Sequence, residues 1–416
     1  MGMKILHLAD IHIGMENYGR IDSTTGLNTR LIDYLDRFAE ALQIGIEHDV
    51  DLVLIAGDIY KNRTPNPTHQ REFARRLRSV LDRGIPVFML VGNHDVSAAA
   101  GKAHSVEIFD TLAIDGVTIA DRLGIHTIET RAGSIQIVAV PWISRHAILT
   151  KDDIRELPFA ELEAELLRRV GAWLEQVPER LRGDLPAILT FHGTVSNATY
   201  GAERSVMLGN DLILPPSLLA QPGIQYVALG HIHRYQVLSE NPPMIYPGSI
   251  ERIDFSEESE QKQVVIVEIE NNWEDASYQP IAVHPRPFVT IKVDVTGSSD
   301  PMERVAQAIS KRDLNGAVVR LLISATAEQR PQLDETELRR LLEAAETHVI
   351  ASIAIEAQRS ERTRYAAVAS ELNEGLTPRR ALEIYLESSN ISATRREQML
   401  KAADDLIKAE QAREQA

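Results

Sequence analysis

Seven side chains of the types that hold divalent metal ions stand directly after short apolar runs in this chain. Run 5–8 leads into Ala9-Asp10-Ile11-His12, and run 52–56 into Gly57-Asp58. Run 87–91 leads into Gly92-Asn93-His94-Asp95, run 187–191 into His192-Gly193, and run 226–229 into Gly230-His231-Ile232-His233. Carboxylate and amide oxygens suit manganese, and imidazole suits iron and zinc. In Asp-x-His and His-x-His an extended backbone points both side chains the same way, so one ion can take both or two ions can share the pair. Two cations about 3.5–4 Å apart need a bridging carboxylate, and Asp58, central in the order, is the natural bridge. Asn93 offers a neutral oxygen. A lone Asp-x-His is commonly a cap or turn, and Gly-Asn-His-Asp alone reads as a turn. The conjunction carries the argument: five of the thirteen histidines (His12, His94, His192, His231 and His233) fall in these loops.

The elements that must position these residues follow from periodicity. The runs 5–8, 52–56, 87–91, 135–140, 187–191, 226–229 and 264–268 have strand length and are mostly rich in β-branched residues. Helical patterns at 30–48, 68–83 and 152–182 alternate with them, which predicts an α/β fold whose loops converge at the carboxyl ends of the strands. Near residue 284 the pattern changes. Pro285-Arg286-Pro287 marks a linker or sharp turn. A strand at 288–295, a helix at 301–312, a strand at 317–324, a helix at 334–346 and a strand at 349–356 then form a βαβαβ module. From Arg359 onward only helices are predicted. Thr377-Pro378 and the capping box Thr394-Arg395-Arg396-Glu397 start two of them. Apolar stripes lie at Leu382, Tyr385 and Leu386, and at Met399, Leu400, Ala403, Leu406 and Ile407.

Composition narrows the chemistry. The 416 residues include no cysteine, which excludes disulfides, thiolate metal sites and a cysteine nucleophile. Hydrophobic residues make up 44% and charged residues 25%, enough for a large core. The N-terminus lacks an apolar signal core, Leu6 stands where myristoylation wants Ser or Thr, and no uncharged stretch reads as a membrane span. A cytoplasmic protein without membrane contact is the expectation. The net charge of −16 argues against nonspecific coating of polyanions.

Asp-x-His, Gly-Asp, Gly-Asn-His-Asp, His-Gly and Gly-His-x-His, in this order, resemble the calcineurin-like metallophosphoesterase superfamily. More closely, Ile5-Leu6-His7-Leu8-Ala9-Asp10-Ile11-His12-Ile13-Gly14 and Tyr246-Pro247-Gly248-Ser249-Ile250-Glu251-Arg252 resemble the SbcD family of double-strand-break-repair nucleases. The resemblance implies a two-sheet α/β sandwich metallophosphoesterase nuclease domain over 1–283. It implies a small α+β capping domain over 284–358 and a helical segment over 359–416 that binds an SbcC-type coiled-coil ABC ATPase. It implies two divalent ions, Mn(II) by family preference, one held by Asp10, His12, Asp58 and His233 and the other by Asp58, Asn93, His192 and His231. Hydrolysis of DNA phosphodiesters by a homodimeric exo- and endonuclease is the implied activity. His94 would stabilise the transition state or protonate the leaving oxygen, with Asp95 orienting its imidazole or capping a helix. Some relatives carry a histidine three residues after the bridging Asp, where this chain has Lys61.

Charge is uneven. Residues 61–83 carry a local excess of +5, with Arg71, Arg75 and Arg78 on one helix stripe, a DNA path or a solvated face. Residues 251–275 carry −7 and read as a solvated surface. The two ions would add about +4 where a phosphate sits, so the expectation is weak DNA binding by this chain alone, with the ATPase supplying much of the grip. Competing readings are a related DNA-repair exonuclease, a phosphoesterase of small molecules or phosphoproteins, and a metal-free scaffold on the same fold; intact ligand positions argue against the last.

Overall fold

A computed structural model describes residues 2–96, 102–143, 159–201, 212–270, 275–357, 379, 382–383, 386 and 395–404. The strands, in chain order, are β1 (Met3–Leu8), β2 (Leu52–Ile55), β3 (Val87–Leu90), β4 (Val117–Ala120), β5 (Gly124–Thr130) and β6 (Gly133–Val140). They continue with β7 (Ala187–His192), β8 (Thr194–Val195), β9 (Ile213–Leu214), β10 (Tyr226–Gly230), β11 (Gln236–Glu240) and β12 (Pro243–Tyr246). Then come β13 (Gln263–Ile269), β14 (Ala276–Ala282), β15 (Phe288–Asp294), β16 (Val318–Ala325) and β17 (Val349–Ala357). One six-stranded sheet has the order β14-β13-β1-β2-β3-β4 and a second β11-β12-β10-β7-β6-β5. Strands β1 to β4 are mutually parallel, as are β6, β7, β10 and β12, while antiparallel strands occupy the flanks.

The core residues alternate along each central strand, as burial on both faces requires. Met3 and Ile5 of β1, Leu52 and Leu54 of β2, and Phe88 of β3 pack against Ile137, Ile188, Tyr226 and Ala228 of the second sheet. Their neighbours Leu6, Val53 and Val87 turn outward onto helices α1 (Thr29–Glu47) and α2 (Pro67–Leu81). Val138, Leu189 and Val227 turn outward onto the helix Phe159–Glu175. The result is a four-layered α/β sandwich. Asn28 and Asn66 start α1 and α2 by accepting from Arg30 N and Thr68 N, each at 2.8 Å, and Pro67 occupies the first position of α2. All seven predicted strands and the helices at 30–48 and 68–83 are present within a few residues. The helix expected at 152–182 is seen as Phe159–Glu175 followed by Val177–Arg180, and 152–158 lie outside the described residues.

The chain divides into two compact units, one of residues 1–292, 306–322 and 335–354, the other of 293–305, 323–334 and 355–416. The strands and helices expected from residue 288 to 356 form, with β15, β16 and β17 in one three-stranded sheet. Of the tail, residues 395–404 are helical and Arg379 pairs with Asp404 at 2.8 Å. Thr377, Pro378, Tyr385, Thr394, Leu406 and Ile407 lie outside the described residues. Among the described residues no helix is long and apolar enough to cross a membrane.

The two charged stretches take the following form. The acidic stretch after residue 250 is solvated only in part: Glu268, Glu270 and Asp275 are exposed, but Glu251 and Glu257 are fully buried. Glu251 accepts from the backbone N–H of Arg286 at 3.1 Å and faces Arg30 at 3.4 Å. Arg30 is itself buried, donates to Asp33 at 2.8 Å and to the Arg252 carbonyl, and lies over the rings of Tyr34 and Phe288. The basic stripe on α2 is a solvated face, with Arg71, Arg75 and Arg78 exposed and engaged in surface ion pairs. Glu72 takes Arg71, Arg75 and Arg76 at 2.8–3.0 Å, and Arg78 pairs with Asp82 at 3.5 Å.

Removing one member of a buried charge cluster leaves the others uncompensated. Arg30→Ala is therefore expected to destabilise the fold by about 3–5 kcal/mol, read as a lowered urea midpoint. An unchanged midpoint would show that Glu251 and Asp33 do not depend on this guanidinium.

Candidate metal centre

The loops after β1 and β2 run side by side. Asp10 N donates to Gly57 O at 3.1 Å, His12 N to Asp58 O at 3.0 Å and Ile13 N to Ile59 O at 2.9 Å. Asp10, His12 and Asp58 all have positive φ, between 50° and 54°, and His231 has φ 107°. The extended Asp-x-His expected from sequence is thus replaced by a tight, left-handed loop, a conformation that costs about 1–3 kcal/mol per residue and persists where surrounding contacts enforce it. Glycine is required alongside: a Cβ on Gly92 would stand 2.2 Å from Asp58 Oδ1, and one on Gly57 (φ 97°) would stand 2.1 Å from His192 Nδ1.

The seven predicted ligand residues converge. His12 Nε2 faces His233 Nε2 at 3.0 Å. Asn93 Oδ1 lies 3.0 Å from both His192 Nε2 and His231 Nδ1. Asp58 sits between these groups, 3.8 Å from His12 Nε2 and 3.4 Å from His192 Nε2. Asp10 accepts the backbone N–H of His231 at 3.0–3.1 Å. Donor atoms of Asp10, His12 and His233 lie within 4.8 Å of one another, as do those of Asp58, His192 and His231, and those of His12, Asp58 and His94.

The protonation pattern fits cations. His192 Nδ1 donates to the Ala56 carbonyl at 2.7 Å, and His233 Nδ1 to Glu257 Oε1 at 3.1 Å. Each inner Nε2 then presents a lone pair, His192 toward Asn93 Oδ1 and Asp58, His233 toward His12. A carbonyl-type oxygen, a carboxylate and an imidazole lone pair at these distances are reconciled by a cation or by an added proton. Without a cation the proton serves: burial lowers His192, but the Asp58 carboxylate beside it overcomes this and pushes it up to about 9. Burial works to raise Asp58, yet the charge of His192 and its hydrogen bond hold the carboxyl well below the usual carboxylate range. His12 is driven well below its ordinary value by burial, which keeps its ring neutral and able to ligate.

His94 and Asp95 take different places. His94 Nδ1 bonds to the Lys61 carbonyl at 2.7 Å, and its ring meets His12 edge-on at 5.0 Å. The orienting group is therefore the backbone of Lys61, not Asp95. Asp95 is buried and accepts from Ile59 N and Tyr60 N at 3.2 Å, Gly92 N at 3.1 Å and Ser105 Oγ at 2.9 Å. It ties the β2 and β3 loops together.

Two residues went unforeseen. Trp142 packs its ring 5.2 Å from His231. Glu257 orients His233 while its other oxygen pairs with the buried Lys262 at 2.9 Å. Burial opposes ionisation of Glu257, but Lys262 and His233 bring it down to about 2. Its only sequence signal was an acid in Phe255-Ser256-Glu257-Glu258, indistinguishable from its exposed neighbours.

The calcineurin-like phosphoesterase family model matches residues 3–235. The chain belongs to the calcineurin-like phosphoesterases and is a metal-dependent hydrolase of phosphate esters. Within that class its similarity runs to SbcD-type proteins. It is 25% identical over 311 residues to the SbcD subunit of the SbcCD nuclease of Escherichia coli, covering 73% of this chain and 74% of that one. It is 27% identical over 332 residues to the SbcD protein of Rhodobacter capsulatus, covering 74% and 76%. With the DNA double-strand break repair protein Mre11 of Archaeoglobus fulgidus it shares 22% over 359 residues, covering 82% and 72%.

Partners that orient a ligating histidine tune affinity about 10–100-fold. Glu257→Gln is expected to weaken Mn(II) binding by that order in calorimetry while far-UV circular dichroism stays unchanged. Wild-type affinity in this variant would remove Glu257 from the metal centre.

Proposed function

We propose that this chain is the Mn(II)-dependent nuclease subunit of an ATP-dependent DNA-end-processing complex, cutting double-stranded ends as an exonuclease and single strands or hairpins as an endonuclease. The observation that carries this reading is the pair of donor clusters joined at Asp58, in a chain similar to SbcD subunits. In it, Asp10, His12, Asp58 and His233 hold one ion and Asp58, Asn93, His192 and His231 the other. Two divalent ions supply activation of water at neutral pH and neutralisation of the phosphate oxygens.

The protein's own groups do the rest. His94 Nδ1–H donates to the Lys61 carbonyl, so Nε2 is the atom that carries a proton to the leaving oxygen, a role worth roughly 10²–10⁴ in rate. Glu257 and Ala56 O take the outer N–H groups of His233 and His192, which aims the inner nitrogens at the ion positions. Asp95 holds the loop bearing Asn93 and His94 against that of Asp58. The absence of cysteine agrees with water, not a protein thiol, as the attacking group.

We assign 1–283 to the nuclease domain, 284–358 to capping and 359–416 to the SbcC-type ATPase, in a cytoplasmic homodimer. The 40% exposure of Met399 supports a tail face open to a partner.

Labelled double-stranded and hairpin DNA incubated with Mn(II) tests the activity. Wild type is expected to cut, Asp58→Ala to lose cutting, and His94→Ser to fall by roughly 10²–10⁴. Cleavage of a nucleotide phosphoester but no DNA would favour a small-molecule phosphoesterase instead. For the tail, the full chain is expected to retain the ATPase in a pull-down, and a chain ending before Arg359 to lose it. Equal retention would overturn the tail assignment.

A further inference from the structure

Directly after the ligand His233 the chain lines a concavity of about 680 Å³, in the size range of small-ligand sites. Its lining includes Tyr200, Arg234, Tyr235, Ser259, Gln261 and Gln263. Consecutive residues serve this cavity and the metal centre. His233 turns its Nε2 toward His12, while the next two residues, Arg234 and Tyr235, line the cavity.

The wall is held from both sides. Gln236 and Thr199 exchange two hydrogen bonds, Thr199 N to Gln236 Oε1 at 2.8 Å and Gln236 Nε2 to Thr199 O at 3.0 Å, which fixes the strip bearing Tyr200 against that bearing Tyr235. On the other side, Lys262 donates to the His233 carbonyl at 3.2 Å and to Glu260 at 2.8 Å. Glu260, the acid in the lining, shares this ammonium with Glu257. Arg234 is exposed, and no ion pair or hydrogen bond engages its guanidinium among the described residues. The cavity thus presents the Arg234 guanidinium, unpaired among the described residues, two aromatic rings, the Lys262-bound Glu260 and the hydrogen-bonding amides of Gln261 and Gln263.

We infer that this cavity is a nucleotide subsite: one of its tyrosines, Tyr200, stacks on a base, and Arg234 meets the phosphate next to the one being cut. A cation beside an aromatic platform is how single nucleic acid strands are held without sequence preference, since every base has a π-face. Ser259 and the two glutamines supply donors and acceptors to a base edge. The inference rests on the proposed nuclease reading, and it specifies that the strand enters unpaired on the His233 side.

Calorimetry on the full chain loaded with Mn(II), with thymidine 5′-monophosphate and deoxyribose 5-phosphate as probes, tests it. Wild type is expected to bind the nucleotide about tenfold or more tighter than the sugar phosphate, the order of one base–aromatic stack. Tyr200→Leu, which keeps an apolar side chain against the core, is expected to bring that ratio close to one, and Tyr200→Phe to restore it. Arg234→Ala is expected to weaken both probes by a similar factor and keep the ratio. Equal binding of the two probes by wild type, or an unchanged ratio in Tyr200→Leu, would overturn the subsite. A chain that shows the ratio but cuts no DNA keeps the subsite and loses the nuclease reading. A chain that cuts DNA without the ratio does the reverse.

Discussion

Lone pairs crowd around the Asp58 carboxylate, and the rest of the site is arranged to deliver them there. Each of three imidazoles uses its outer nitrogen to bind a fixed acceptor: His192 the Ala56 carbonyl, His233 the Glu257 carboxylate, and His94 the Lys61 carbonyl. The inner nitrogens of His192 and His233 then point at oxygens and at another ring, where only a cation or a proton brings them together. Metal affinity in such a centre depends as much on these outer partners as on the ligands.

The fold supplies the crowding by closing two sheets over one core, so that loops from both meet at their carboxyl ends. Asp10 and His12 come from the first sheet and His192, His231 and His233 from the second. The left-handed backbone at Asp10, His12 and Asp58 is held by hydrogen bonds between adjacent loops and by Asp95, which reaches three backbone N–H groups across two loops. A substitution at Gly92 strikes the Asp58 carboxylate itself, so glycine there is a condition of the metal centre.

Net charge says little about the interior, where a few acids have assigned work. Glu251 and Glu257 serve Arg30, His233 and Lys262 in the interior. On α2, Arg71, Arg75 and Arg76 share the one carboxylate of Glu72. Arg234, by contrast, has no charged partner among the described residues. Sequence spacing could not separate Arg234 from Arg71, since both are basic residues near a ligand loop. Only their neighbours differ.

The donor set was legible because it depends on residue type at the ends of buried strands, and buried parallel strands announce themselves as unbroken apolar runs. The central strands and α1 and α2 were readable for the same reason. Flanking strands such as β5, β11 and β14 were not, since half-exposed edges lack that signal. The sequence by itself determined which metal-binding side-chain types stand at the strand ends and in what order the loops carry them. The tertiary structure alone decided which nitrogen of each histidine faces inward, that Lys61 O and not Asp95 holds His94, and that Glu257 reaches His233. These are hydrogen-bond choices between segments as far as 136 residues apart, and no local pattern encodes a partner that only folding brings within 3 Å.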